Sequence, residues 1–251
     1  MPLDLIYLAL VAVVWPLVDH HRVWPAFLRG LERNPGEARV WISKVSVVQQ
    51  WLLVALGLIL LARHGRAWAT PGLACPTGWR LFLAIGLGAA LLIHFLRTGI
   101  KVAGHPRMQA GVRKQLGALE RLMPHTTREW GWFLGVALTA GVCEEFLFRG
   151  YFLWALQAHL GWWGAAAASL PCFALAHAYQ GGTGLWKTGL AGLGLTLLVA
   201  LFRSLLPAMA VHALVDAGSG TLGWLALRNA PSGVSGNLEG AGQDLAGSSG
   251  A

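Results

Sequence analysis

The segment GVCEEFLFRG at residues 141–150 decides how this chain is interpreted, because it places two adjacent glutamates and an arginine inside an apolar stretch. The flanking sequences WGWFLGVALTA and YFLWALQAHL contain no Asp, Glu, Lys or Arg. A charged side chain at the centre of a bilayer costs about 3 kcal/mol or more unless it is paired or faces a wet interior. These three residues are therefore candidates for a functional site.

The composition of the whole chain indicates a membrane protein. Of 251 residues, 55% are hydrophobic and 12% are charged, whereas soluble domains carry about 25% charged residues. The apolar stretches long enough to cross a hydrocarbon core lie near 1–18, 45–62, 80–96, 131–158, 163–179, 185–202 and 205–227. We predict an all-α, polytopic membrane helix bundle with about seven transmembrane helices, within a range of roughly six to eight.

Basic residues are concentrated in two predicted loops, 19–44 and 97–130. The positive-inside rule places both in the cytoplasm and the N-terminus outside. The net charge of +8 then matches anionic lipid headgroups and not nucleic acid. His20 and His21 fall in the first of these segments and are predicted to be loop residues. Residues 1–228 are expected to form one transmembrane domain, and the Gly- and Ser-rich segment 229–251 a disordered tail.

A basic segment, RMQAGVRKQLGALERLMP at 107–124, precedes the central apolar stretch. Its apolar residues recur at helical spacing, which predicts an amphipathic helix that Pro124 ends. Such a helix lies on the membrane surface or forms a solvated linker. After it, Thr126 or Thr127 is predicted to cap the next helix, with Glu129 in its first turn.

The polar residues inside the apolar stretches have informative spacings. Glu145 and Arg149 are at i and i+4, so they share a helix face and are expected to pair. Glu144 is turned about 100° away from Glu145 and is expected to meet a different helix. Two later stretches repeat the i, i+4 spacing, with Phe173 and His177 in one and His212 and Asp216 in the other.

These groups suit hydrolysis if their helices meet. A carboxylate and an imidazole that share one water can deprotonate it as it attacks a carbonyl, and Glu144 with His177 meets that need. Donors opposite them would stabilise the developing oxyanion, and His212 with Asp216 could supply these.

The ordered set of motifs resembles the CPBP intramembrane glutamic proteases, which include the Ras-converting CAAX endoproteases and bacterial relatives linked to bacteriocin processing. The resemblance covers about 125–220. The family pattern EExxxR, FxxxH and HxxxN or D appears here as Glu144-Glu145-xxx-Arg149, Phe173-xxx-His177 and His212-xxx-Asp216.

The resemblance implies a role for each of the six polar residues. Glu144 with His177 would activate water, Glu145 and Arg149 would organise the site, and His212 with Asp216 would bind the oxyanion. Asp216 departs from the Asn of eukaryotic members. An ionised carboxylate would repel an oxyanion, so Asp216 must be neutral, which burial would favour, or must orient His212.

The expected activity is thus endopeptidase cleavage of a membrane-anchored peptide or protein by a multi-pass protein of the bacterial cell membrane. No cofactor is expected. The alternatives are a zinc protease that uses His177, His212 and a glutamate, although HExxH is absent from the sequence, and a non-proteolytic transporter or immunity scaffold. The sequence does not predict the oligomeric state.

Overall fold

The structure, a computed structural model, describes residues 2–65 and 72–229, which form helices with no β-strand among them. In chain order the helices are α1 Pro2–Arg33, α2 Pro35–Arg63, α3 Trp79–Gly104, α4 Pro106–Leu116, α5 Thr127–Glu145, α6 Phe152–Leu175, α7 Gly181–Phe202 and α8 Leu206–Leu227. The predicted all-α class is confirmed. Apart from residue 229, the predicted disordered tail lies outside the described residues.

Five of the described helical stretches are long and apolar enough to cross a membrane, and they identify an integral, multi-pass membrane protein. One of them, Thr127–Leu175, contains α5 and α6. Gly161 interrupts its helical backbone with φ 66° and ψ 170°, a conformation open mainly to glycine. The predicted stretches 131–158 and 163–179 meet at this interruption. The seventh predicted stretch, 205–227, forms α8. The polar residues of α8 lower its mean hydropathy below that of the five membrane-spanning stretches.

The prediction that residues 19–44 form a loop is wrong. Helix α1 continues to Arg33 through a π-helical turn at Asp19–Val23, so His20 and His21 are helical. Helix α2 begins at Pro35, where the Asn34 side chain accepts a hydrogen bond from the Glu37 backbone N–H at 3.2 Å. The end of the apolar pattern marks where a span leaves lipid, but backbone hydrogen bonding lets the helix continue into a polar region.

The two basic segments lie at the same end of the bundle. Arg39 pairs with Glu129 at 3.4 Å and donates from Nε to the Arg121 carbonyl at 3.3 Å. At the opposite end, Arg80 donates from Nε to the Leu201 carbonyl at 2.8 Å. This arrangement is the one that the positive-inside argument requires, and the leaflet that each end faces stays a prediction.

The amphipathic helix that was predicted to end at Pro124 is shorter than predicted. Helix α4 stops at Leu116 because Gly117 takes φ 52°, and a 3₁₀ turn covers Gly117–Leu122. Capping by Thr126 is confirmed: its Oγ1 accepts from the Glu129 backbone N–H at 3.2 Å and donates to the Glu129 carboxylate at 3.0 Å. This reciprocal arrangement fixes where α5 begins.

Candidate active site

The two adjacent glutamates lie at the C-terminal end of α5, where the helix changes to a π-helical turn at Phe146–Tyr151. Their exposed fractions are 6% for Glu144 and 0% for Glu145. The predicted pair is confirmed, since Arg149 Nη1 lies 3.0 Å from Glu145 Oε1. A π turn inside an α-helix is often found at a functional site, and this one is entirely buried.

Helix α7 holds the other side of Arg149. Its Nη2 donates to the Gly192 carbonyl at 3.0 Å, and its Nε donates to Thr196 Oγ1 at 3.5 Å. The guanidinium also lies over the Phe173 ring, 4.0 Å from the centroid. The charge is therefore matched by a carboxylate, two oxygen acceptors and an aromatic face, which offsets the cost of its burial.

Gly141 allows α8 to cross close to the glutamates. A Cβ at this position would lie 2.7 Å from the Ala213 backbone nitrogen and 2.8 Å from the Met209 carbonyl. At this crossing His212 donates from Nδ1 to Glu145 Oε1 at 2.9 Å. Helix α8 thus adds a second donor to the carboxylate oxygen that already binds Arg149.

His177 lies just beyond the C-terminal end of α6. Its Nδ1 is 2.9 Å from the Phe173 carbonyl oxygen, which can only accept, so Nδ1 carries the proton. In the neutral ring, Nε2 is then free to accept a proton. This nitrogen faces Glu144, with Nε2 3.7 Å from Oε2.

Glu144 meets three other elements. Its Oε1 accepts a hydrogen bond from Gln50 Nε2 on α2 at 3.0 Å. Its Oε2 lies 3.7 Å from His177 Nε2 and 4.0 Å from His212 Nε2. Among the described residues Oε2 has no hydrogen-bond partner, although it is buried. The prediction that this carboxylate meets a different helix is confirmed.

Gln50 was not identified from the sequence. Its only signal there is a pair of glutamines, VVQQW at 47–51, inside an apolar stretch. Gln50 is 5% exposed, and its Oε1 is buried without a hydrogen-bond partner in the described part of the chain. Since a carboxylate can only accept, the amide nitrogen must face Glu144 and the amide oxygen must face away.

Asp216 lies next to His212, with Oδ2 3.5 Å from Nε2. Its side chain is 41% exposed, so the burial that would favour a neutral carboxyl is not found. It lies one turn beyond His212, where α8 reaches the edge of the site. The position therefore favours the other alternative, in which Asp216 orients His212.

A cavity of about 70 Å³ opens in front of Glu144 and His177. Helices α1 and α2 form its opposite wall with Trp15, Asp19, Ser46, Gln49 and Gln50. Tyr179 also lines it, and burial, together with the carboxylates of Glu144, Asp216 and Asp19, raises the pKa of this phenol to about 12. Its hydroxyl therefore stays protonated at neutral pH and remains a hydrogen-bond donor.

A larger cavity, about 490 Å³, lies on the far side of Arg149 and is lined by Gly150, Trp154, Trp162 and Arg203 among others. Of the six predicted residues only Arg149 borders it, whereas Glu144 and His177 line the smaller cavity. Within residues 2–65 and 72–229, no group of three or more His, Cys, Asp or Glu side chains has the geometry of a metal site.

Buried carboxylates, imidazoles and a guanidinium thus lie together inside this membrane-embedded bundle, a set of groups that suits hydrolysis. Residues 126–218 match the family model of Rce1-like type II CAAX prenyl endopeptidases. The match confirms the resemblance to the CPBP and CAAX protease family and supports a CAAX-type membrane endopeptidase, acting on membrane-embedded substrates. No curated protein and no solved structure matches the chain.

Proposed function

We propose that the chain is a glutamic-type intramembrane endopeptidase in which Glu144 activates the attacking water. The arrangement around Glu144 Oε2 supports this most strongly. The distances of 3.7 and 4.0 Å to His177 and His212 are too long for direct hydrogen bonds but suit one bridging water. The cavity of about 70 Å³ in front of Glu144 has room for such a water.

In the proposed reaction, water adds to the carbonyl carbon and transfers a proton to the Glu144–His177 pair. His177 is suited to accept because its Nδ1 is already the donor to Phe173. The proton then passes to the amide nitrogen as the C–N bond breaks, which leaves a carboxylic acid and an amine. The pair thus acts first as the base and then as the acid.

His212 would stabilise the oxyanion. A doubly protonated ring would have Glu145 as acceptor at Nδ1 and Asp216 near Nε2, so both ends of an imidazolium would be compensated. The Nε2–H group could then donate to the carbonyl oxygen as negative charge develops there. Glu145 and Arg149 would fix the position of the ring, and Gln50 would fix Glu144.

The substrate would be a membrane-anchored peptide or protein in the bacterial cell membrane, with the cavity open to the cytoplasm. Ser46 and Asp19 line the cavity on the side of the basic end of the bundle, which supports that direction. In a bacterial membrane, a leader, a bacteriocin or a C-terminal sorting tail is a better candidate substrate than a prenylated CAAX protein.

The test is cleavage of membrane-tethered peptides by purified protein, comparing wild type with Glu144→Gln and Glu144→Ala. We expect both variants to lose at least about a hundredfold in kcat, the lower range for a general base. Glu37→Gln is the matched control, since Glu37 is exposed and pairs with the exposed Arg128, away from the cavity. Full activity in both Glu144 variants would refute the glutamic mechanism, and loss of wild-type activity on chelation would favour zinc.

A further inference from the structure

We propose that the α1–α2 wall of the cavity binds a lysine or arginine side chain of the substrate, next to the bond that is cleaved. Asp19 would be the charge partner, and the acceptors beside it would complete the site. This inference rests on the proposed function, because it names the substrate class of the same cavity. The residues of this wall lie outside the segment 126–218 that carries the family match.

The wall offers several hydrogen-bond acceptors. Asp19 lies in the π turn of α1 and accepts from Gln49 Nε2 at 3.2 Å through Oδ1. Gln50 Oε1 is buried without a partner among the described residues, and its orientation is fixed because its amide nitrogen binds Glu144. Ser46 also lines the wall. Carboxylate and amide oxygens of this kind match a group that only donates, as an ammonium or guanidinium does.

The charge balance of the site also favours a cation. Four carboxylates lie at or next to the cavity, those of Asp19, Glu144, Glu145 and Asp216. Arg149 compensates one of them, and no lysine or arginine occurs among the described residues that line the cavity. Even with His177 and His212 both protonated, four negative charges face three positive ones. A cationic side chain would be stabilised here, and an anionic one repelled.

Aromatic rings complete the wall in a way that suits a long basic side chain. Trp15 and Tyr179 line the cavity, and Trp24 packs on Tyr179 with ring centroids 5.2 Å apart. Lysine and arginine stems pack on apolar and aromatic surfaces while their charged ends reach acceptors. Uncharged side chains of similar length would fill the same space without neutralising Asp19.

The first experiment uses fluorogenic peptides tethered to vesicles through a hydrophobic anchor, with one residue beside the cleaved bond set to lysine, arginine, norleucine or glutamate. We expect kcat/KM for lysine and arginine to exceed that for norleucine by about tenfold, as one charge-assisted contact predicts, and glutamate to fall below norleucine. In Asp19→Asn the lysine-to-norleucine ratio should approach one, and in Asp19→Lys glutamate should become the better substrate. Glu32→Gln, an exposed change on the same helix, should leave the ratio unchanged.

The second experiment measures binding without cleavage, using Glu144→Gln and the same peptides. The lysine peptide should bind about tenfold more tightly than the norleucine peptide, and Asp19→Asn should abolish the difference. Cleavage without any charge preference would overturn this inference and leave the proposed function intact. If no peptide is cleaved but lysine is still preferred in binding, the site stands and the proposed hydrolysis fails.

Discussion

Removal of the Arg149 guanidinium should destabilise the fold more than any surface charge change. In Arg149→Met the apolar stem is kept, but Glu145, which is fully buried, loses the partner at 3.0 Å. Gly192 and Thr196 also lose a donor. Breaking a buried ion pair by removing one member costs about 3–5 kcal/mol. We expect the free energy of unfolding to fall by that amount.

The double variant Arg149→Met/Glu145→Gln separates the ion pair from simple packing. Glutamine still offers an oxygen to His212 Nδ1, but it leaves no uncompensated charge. The double variant should therefore be more stable than the sum of the two single effects predicts, by about 1–3 kcal/mol. Unfolding would be followed by helical circular dichroism during titration of detergent micelles with sodium dodecyl sulfate. Arg97→Met, an exposed change on α3, should stay within about 0.5 kcal/mol of wild type.

Two results would refute this reasoning. A loss of less than about 1 kcal/mol in Arg149→Met would mean that water reaches the guanidinium, against its 2% exposed side chain. Strictly additive effects in the double variant would mean that Arg149 and Glu145 do not interact energetically.

Three further changes test other parts of the structure. Gln50→Leu should lower kcat about 10- to 100-fold without loss of helicity, because a hydrogen bond to a charged group contributes about 1.5–3 kcal/mol; unchanged kcat would exclude a positioning role. Gly141→Ala should cost about 1–3 kcal/mol of stability, because its Cβ would meet the backbone of α8. Gly135→Ala on the same helix is the control and should be neutral or stabilising, since a Cβ at Gly135 would have no atom within 4 Å. Burial and the nearby Arg39 guanidinium lower the pKa of His125, so the folded state favours the neutral imidazole. The stability that the neutral imidazole contributes should therefore be lost as pH falls below about 6.5, where the unfolded chain gains a proton first. His125→Asn should flatten that part of the stability–pH curve.

The local part of the site could be predicted from the sequence because helical spacing determines it. The Glu145–Arg149 pair and the proximity of His212 to Asp216 follow from i, i+4 geometry. The Thr126 cap follows from its side-chain chemistry and from Glu129 three residues later. Each of these needs only the backbone of one helix.

The part contributed by α1 and α2 could not be predicted, since nothing local indicates it. Gln50 lies 94 residues from Glu144 along the chain. Asp19 reaches the cavity only because α1 remains helical through a π turn beyond its apolar stretch. The hydropathy pattern ends near residue 18, so the sequence assigns Asp19 to a loop. Long-range packing and the π turn decide otherwise.

The adjacency of the two glutamates explains how two buried carboxylates can have entirely different partners. Neighbouring residues on a helix are rotated by about 100°, so Glu144 and Glu145 face different helices. Glu145 takes Arg149 and His212 on the same oxygen, which fixes the crossing of α5, α7 and α8. Among the described residues Glu144 accepts its hydrogen bond at Oε1 from an uncharged amide, and its Oε2 lies 3.7 and 4.0 Å from the Nε2 atoms of His177 and His212. An arginine at position 50 would hold Glu144 more firmly but would neutralise the charge on which its proposed role as a base depends.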